Sequence, residues 1–241
     1  MPQIVTVRTR DEAGELAARA IVDLIDSTPD AVLGLATGSS PLPVYRALAR
    51  LTEGKDLSQV RGFALDEYVG LDYSHPESYH SVINREVVEP LGLDPERVQV
   101  PPGAALDPDD AAARYEDAIR NAGGVDVQLL GIGSNGHIAF NEPGSPLDSR
   151  TRRLALTERT REDNARFFDS IDDVPTECMT QGIGTIMEAK QIFLFAFGEG
   201  KADAIRAALE FPISTDCPAS ALQEHSNVTF VLDEAAASLL S

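Results

Sequence analysis

The chain alternates short apolar runs with amphipathic segments that are long enough to form helices. The apolar runs predict buried strands at Ile4–Arg8, Ala31–Ala36, Gly62–Asp66, Val98–Val100, Val125–Gly133, Gln191–Phe197 and Val228–Leu232. The amphipathic segments predict helices at Asp11–Ser27, Pro41–Leu51, Glu77–Leu91, Pro108–Ala122, Lys201–Leu209 and Glu234–Leu240. Because strands that alternate with helices build βαβ units, this order predicts an α/β fold. We expect a Rossmann-like, doubly wound and mostly parallel sheet with helices on both faces.

The 241 residues contain no internal repeat, low-complexity tract or linker, so we expect one domain that spans residues 1–241. The least regular part is Asn141–Gln181, which is rich in Pro, Ser, Thr and charged residues. In an α/β domain, a long irregular segment of this kind is often a lid or a binding loop. We therefore expect a lid at about residues 145–181.

Composition excludes several classes of partner. Acidic residues outnumber basic ones by 39 to 20, which gives a formal net charge of −19. A protein that binds polyanions needs a basic surface, so this balance argues against nucleic acids and anionic membranes. The first residues lack the apolar core of a signal peptide, and no apolar run reaches the roughly 18–20 residues that span a bilayer. We expect a cytoplasmic protein that acts on a small molecule, as a monomer or as a homo-oligomer.

Polar residues follow several of the predicted strands. Ligands of an open parallel sheet bind outside the carboxyl ends of its strands, so these residues are the first candidates for a site. The TGSSP turn (Thr37–Pro41) leads into a helix, and the free N–H groups of a helix start favour a phosphate. An ordinary helix-capping turn explains the same residues. Lys201, at another helix start, opposes the helix dipole unless an anion lies nearby; the alternative is a solvated surface lysine.

Two further loops carry groups that can transfer protons. Asp66 ends an apolar strand, where partial burial would raise its pKa and suit it to act as a base; the alternative is that it caps the next turn. His137 and Glu142 lie within a few residues of each other and are candidates for an oriented imidazole–carboxylate pair. The alternative for His137 is a hydrogen-bonded loop residue. These loops predict a phosphate-bearing substrate without identifying it.

No motif indicates a metal or an organic cofactor. His75 and His80 have no carboxylate at metal-ligand spacing, and Cys178 and Cys217 have no activating arrangement and form no disulfide framework. The TGSSP turn matches neither the dinucleotide-binding pattern nor the P-loop pattern.

Several segments, in order and at characteristic spacing, carry a resemblance to a known family: LGLATGSSP, FALDEYVGL with HPESYHS, LLGIGSNGHIAFNEPGSPLDSRTR, and FGEGKADAI. From about residue 4 to 233, the sequence closely resembles the glucosamine-6-phosphate deaminase (isomerase) family. The related 6-phosphogluconolactonases share the fold, but the DEYVGL and FNEP segments match the deaminase branch.

The resemblance implies conversion of glucosamine 6-phosphate into fructose 6-phosphate and ammonia, with no metal or organic cofactor. It implies that His137, with Glu142 oriented against it, assists opening of the pyranose ring. Asp66 would then move a proton from C2 to C1 through an enolamine. The residues implied to hold the phosphate are Thr37, Gly38, Ser39, Ser40, Arg166 and Lys201. Without the resemblance, Arg166 would be interpreted as a solvated helix residue.

Asn135 departs from part of the family, because some members carry Asp at that position. An asparagine can orient His137 by hydrogen bonding but cannot share a proton. The resemblance therefore implies an active enzyme whose ring opening depends on His137 and Glu142.

A second departure concerns regulation. Hexameric members that respond to N-acetylglucosamine 6-phosphate use a Ser pair after FNEP and a basic residue two positions after the TR pair. Here Pro146 follows Ser145, and Leu154 replaces that basic residue, although Arg152 matches. We expect weak or absent activation by this effector.

Two other functions remain open at this point. One is an isomerase or lactonase that acts on another sugar 6-phosphate, such as galactosamine 6-phosphate or 6-phosphogluconolactone. The other, which the joint presence of Asp66, His137 and Glu142 disfavours, is a non-catalytic sugar-phosphate sensor.

Overall fold

Strands and helices alternate along residues 2–241, which the computed structural model describes with the exception of the Asp163 side chain. The strands are β1 (Gln3–Val7), β2 (Val32–Leu35), β3 (Arg61–Ala64), β4 (Asp66–Tyr68), β5 (Val98–Gln99), β6 (Val127–Gly131), β7 (Arg152–Ala155), β8 (Glu177–Thr180), β9 (Gln191–Ala196) and β10 (Val228–Asp233). The α-helices are α1 (Arg10–Ser27), α2 (Leu42–Leu51), α3 (Tyr79–Ile83), α4 (Glu89–Leu91), α5 (Pro108–Asn121), α6 (Glu158–Asn164), α7 (Ile183–Ile186) and α8 (Ala202–Glu210).

The central sheet is parallel, and within the described residues its strand order is β1-β10-β9-β6-β2-β3-β5. Successive residues of β2, β9 and β10 are buried. Since successive side chains of a strand point to opposite faces, both faces of the sheet are covered. The predicted doubly wound α/β fold is confirmed.

The strand order positions the site. The chain runs outward from β2 through β3 to β5 and then returns with β6 to the other side of β2. The carboxyl ends of β2 and β6 therefore lie side by side at the point where the winding reverses, which is where such sheets bind ligands. The TGSSP turn follows β2, and the loop that carries His137 follows β6.

A second, antiparallel sheet has the order β4-β8-β7 and was not predicted from the sequence. The prediction that Asp66 ends a strand of the central sheet is wrong. That strand ends at Ala64, and Asp66 begins β4 opposite Thr180 of β8. Leu65 joins the two sheets, because its N–H donates to Leu35 O (2.9 Å) and its carbonyl accepts from Gln181 N (2.7 Å).

Two predicted helices differ from the structure. The segment predicted as Glu77–Leu91 begins at Tyr79, passes through a π-helical turn at Asn84–Val88 and ends before Gly92, whose φ of 63° is left-handed. The helix predicted at Glu234–Leu240 is a series of turns. A segment this short nucleates a helix poorly, and the Asp233 carboxylate instead accepts the Ala236 N–H at 2.8 Å.

Candidate active site

A cavity of about 660 Å³ opens at the carboxyl ends of β2, β3 and β6. Its volume lies in the usual range for small-molecule sites. Predicted site residues that line it are Thr37, Gly38, Ser39, Ser40, Asp66, His137, Arg166 and Lys201. Residues that are far apart in the sequence thus meet at one edge of the sheet.

Asp66 is a buried carboxyl group on the wall of this cavity, with 6% of its surface exposed. Burial, followed by the nearby charge of Glu67, raises the pKa of Asp66 to about 8. A carboxyl group that titrates near neutral pH can both accept and return a proton, which is what a proton shuttle requires.

Glu67, the residue after Asp66, is fully buried and was not identified from the sequence. Its carboxylate accepts the Ser78 hydroxyl and the backbone N–H groups of Tyr68, Tyr79 and His80 at 2.7–2.9 Å. These bonds satisfy N–H groups at the start of α3 and attach that helix to the strand that carries Asp66. The sequence signal for this contact was the joint presence of the FALDEYVGL segment, which contains Glu67, and the HPESYHS segment.

His137 and Glu142 lie next to each other, with 3.5 Å between His137 Nδ1 and Glu142 Oε2. This is an ion-pair distance, longer than a well-formed hydrogen bond. Burial acts to raise the pKa of Glu142, but His137 and the donors Thr160 and Asn135 outweigh it and lower that pKa to about 2. Glu142 is therefore an ionised carboxylate that faces the imidazole ring.

Asn135 acts on this pair through contacts that the sequence did not specify. Its Nδ2 donates to Glu142 Oε2 at 2.7 Å, and its Oδ1 accepts the backbone N–H of His137 at 3.2 Å. Asn135 thus positions the carboxylate and the main chain rather than the imidazole itself. Neither Asn135 nor Glu142 lines the cavity, whereas His137 does.

The TGSSP turn lies at the start of α2, where no side chain caps the helix. The turn therefore does not act as an ordinary helix-capping turn, which was the alternative interpretation of these residues. Backbone N–H groups at the start of α2 are left to bind an anion. Gly38 adopts a left-handed φ of 86°, a conformation that side chains other than glycine rarely take.

Lys201 and Arg166 supply positive charge to the same cavity. Lys201 Nζ donates to Ile132 O at 2.6 Å, which holds the ammonium group beside the end of β6. The Arg166 guanidinium stacks over the Phe167 ring at 4.7 Å from its centre, in the 3₁₀ turn that follows α6. Arg85, Tyr79 and Thr160 also line the cavity and were not selected from the sequence.

Among residues 2–241, with the Asp163 side chain left aside, no group of three or more His, Cys, Asp or Glu side chains is arranged to hold a metal ion. In the same part of the chain, no helix combines the length and the apolar character that crossing a membrane requires.

Residues 7–231 match the model of the family described as glucosamine-6-phosphate isomerases/6-phosphogluconolactonase. A glucosamine-6-phosphate deaminase of Bifidobacterium longum is 57% identical, over 100% of this chain and 93% of the relative. A protein of the same name from Streptomyces coelicolor is 56% identical, over 99% of this chain and 92% of the relative.

Solved structures show the same likeness. A monomeric glucosamine-6-phosphate deaminase of known structure superposes with a TM-score of 0.94 at 46% identity and covers 98% of this chain and 99% of its own. A 6-phosphogluconolactonase from Trypanosoma cruzi superposes with a TM-score of 0.77 at 20% identity, over 100% of this chain and 97% of its own, and so shares the fold.

Proposed function

Because this chain belongs to the glucosamine-6-phosphate isomerase and 6-phosphogluconolactonase family, we propose that it converts glucosamine 6-phosphate and water into fructose 6-phosphate and ammonia. The observation that carries the proposal is that two separate proton-transfer groups line one cavity, Asp66 and His137, and that Glu142 pairs with His137 from outside the cavity wall. A lactonase only adds water to an ester and has no need for a second proton-transfer group. An isomerase needs such a group, because it must also move a proton between two carbons.

The first step is opening of the sugar ring. His137 takes the proton of the C1 hydroxyl group and delivers it to the ring oxygen as the bond between C1 and that oxygen breaks, while the ionised Glu142 stabilises the positive charge that forms transiently on the imidazole. Asn135 keeps the carboxylate facing His137. The product is an open-chain aldehyde with an amino group on C2.

Asp66 carries out the isomerisation. In its ionised form it removes the proton from C2 while the C1 oxygen takes up a proton from solvent, which gives an enolamine. Asp66 then returns its proton to C1, which leaves a C2 iminium ion whose extra proton is released when water adds. Water adds to C2, and ammonia departs as the ketone forms. One carboxyl group can reach two adjacent carbons, and the raised pKa makes Asp66 a stronger base towards C2 than an ordinary carboxylate.

The phosphate group is assigned to the TGSSP turn (Thr37–Pro41), together with Arg166 and Lys201. The uncapped start of α2 and two cations that line the same cavity support this assignment. They also explain how a chain with a net charge of −19 could bind an anion, since the positive charge is local.

Residues 145–181 are proposed to act as a lid within a single domain. This segment contains α6 and contributes several cavity-lining residues: Thr160, Asn164, Arg166, Phe167 and Phe168. We further propose a cytoplasmic monomer, because the similar deaminase of known structure is monomeric and a sugar phosphate remains in the compartment that forms it.

Weak or absent activation by N-acetylglucosamine 6-phosphate is also proposed. Arg152 Nη1 donates to Asn141 Oδ1 at 2.9 Å and to Arg150 O at 3.2 Å, so these two of its five N–H donors are used within the protein. Leu154 packs against the apolar cluster around Tyr68. Strong activation of the purified enzyme by the acetylated sugar would contradict this proposal.

The decisive experiment incubates the purified protein with glucosamine 6-phosphate and measures fructose 6-phosphate and ammonia in equal amounts. Galactosamine 6-phosphate and 6-phosphogluconolactone serve as competing substrates in parallel reactions. Preferred turnover of either one, or the absence of both products from glucosamine 6-phosphate, would refute the proposal.

A further inference from the structure

The two oxygens of Glu142 are held by different parts of the chain. Oε2 accepts Asn135 Nδ2 at 2.7 Å and faces His137 Nδ1 at 3.5 Å. Oε1 accepts the hydroxyl group of Thr160, which lies in α6. The carboxylate that orients the imidazole is therefore attached to the His137 loop on one side and to the proposed lid on the other.

The hydrogen bonds of Thr160 have a fixed direction. An ionised carboxylate can only accept, so the Thr160 hydroxyl commits its single proton to Glu142. The Thr157 hydroxyl, 3.0 Å away, donates to the Thr160 oxygen and accepts the Thr160 N–H at 3.2 Å as the cap of α6. Thr160 is 7% exposed, although the preceding residues of α6, Glu158 and Arg159, are exposed. Its burial and its orientation both serve the contact with Glu142.

The residue next to Thr160 makes a second, different contact with the same loop. Arg159 donates to the Ser134 hydroxyl at 2.7 Å, outside the imidazole–carboxylate pair. Two adjacent residues of α6 thus attach the helix to the His137 loop, and only Thr160 reaches the carboxylate. Arg159 is therefore a natural control for the effect of attachment alone.

We propose that Thr160 is a positioning residue that fixes Glu142 against His137 during ring opening and thereby couples α6 to that step. This inference rests on the proposed function. Without the bond to Oε1, Asn135 alone holds the carboxylate, whose terminal torsion has broad energy wells, and Oε2 is then directed at His137 less precisely. Precise placement of groups that transfer protons contributes strongly to rate, and a displaced carboxylate loses that contribution.

The test compares Thr160→Val, which removes the hydroxyl and keeps the branched shape, with Thr160→Ser, which keeps the hydroxyl. Arg159→Gln is the matched control. For each variant, kcat is measured with glucosamine 6-phosphate. The dissociation constant is measured for the acyclic 2-amino-2-deoxyglucitol 6-phosphate, a probe that needs no ring opening. Thermal unfolding establishes that each variant is folded.

The expected result is a fall in kcat of about 10- to 100-fold for Thr160→Val, with binding of the acyclic probe within about 2-fold of wild type. Thr160→Ser and Arg159→Gln should remain within about 3-fold of wild type in kcat. An unchanged kcat in Thr160→Val would overturn the inference. So would a serine variant as slow as the valine variant, or a parallel loss of probe binding, which would mean that Thr160 shapes the cavity instead. Absence of turnover by the wild-type protein would refute the proposed function itself.

Discussion

Replacing Asp66 by asparagine should make the protein more resistant to alkaline pH while removing its activity. The asparagine has nearly the same shape but cannot titrate. In the folded wild type, burial and the Glu67 charge raise the pKa of Asp66 from 3.8 to about 8. Between these two pH values, the folded protein holds a proton that the unfolded chain has released. The stability of the wild type therefore falls as pH rises from about 4 to about 8, whereas Asp66→Asn lacks this loss.

The size of the effect follows from the same pKa. Each unit of pH over which only the folded state keeps the proton changes the free energy of unfolding by about 1.4 kcal/mol. From pH 5 to the pKa of about 8, the wild type should lose up to about 4 kcal/mol relative to Asp66→Asn. Above that pH the two proteins should respond to pH in parallel.

Urea unfolding of both proteins at pH 5, 7 and 9 measures this divergence, because the other titrating groups are common to both and cancel in the difference. A difference between the two free energies of unfolding that stays constant within about 0.5 kcal/mol would refute the raised pKa. The same variant should lose at least about 100-fold in kcat at every pH, as expected for the loss of a general base. Full activity in Asp66→Asn would refute the assignment of Asp66 as the proton shuttle.

Three further predictions concern groups around the cavity. Glu67→Gln should destabilise the protein by about 3 kcal/mol, because the new amide group leaves a buried N–H donor without an acceptor. Urea unfolding measures this loss. Because the Glu67 charge helps to raise the pKa of Asp66, that pKa should also fall in the pH–rate profile of the variant. Lys201→Met should raise KM by about 10-fold or more and change kcat less, as removal of a phosphate contact would. Steady-state kinetics measures both constants, with Lys201→Arg as the control, and a wild-type KM in Lys201→Met would contradict the prediction. Gly136→Ala should destabilise the fold by about 2 kcal/mol, because Gly136 has a φ of 85° and a Cβ atom there would lie 2.6 Å from Cys217 Sγ; an unfolding midpoint equal to that of wild type would show that the loop adapts.

The periodicity of the sequence determined the central sheet. A strand that is buried on both faces, such as the one within Val125–Gly133, needs apolar residues at successive positions. Such a run can be recognised from neighbouring residues alone, without knowledge of tertiary contacts. The carboxyl ends of parallel strands meet at one edge, and the loops after β2 and β6 could therefore be assigned to one site before any contact was known. The resemblance then gave roles to the residues of those loops and added Arg166, which lies after α6 and whose own surroundings in the sequence gave no signal.

Only the tertiary structure decided how those residues work. The small sheet was missed because its strands are short and β7 is partly exposed, so no clear period marks them. Thr160 reaches Glu142 across 18 positions, and Glu67 reaches the start of α3 across 11 to 13; no local pattern encodes such pairs. The raised pKa of Asp66 likewise depends on burial between two sheets. The sequence set which chemical groups are present, whereas desolvation and long-range hydrogen bonds, which exist only in the folded chain, set their protonation and direction.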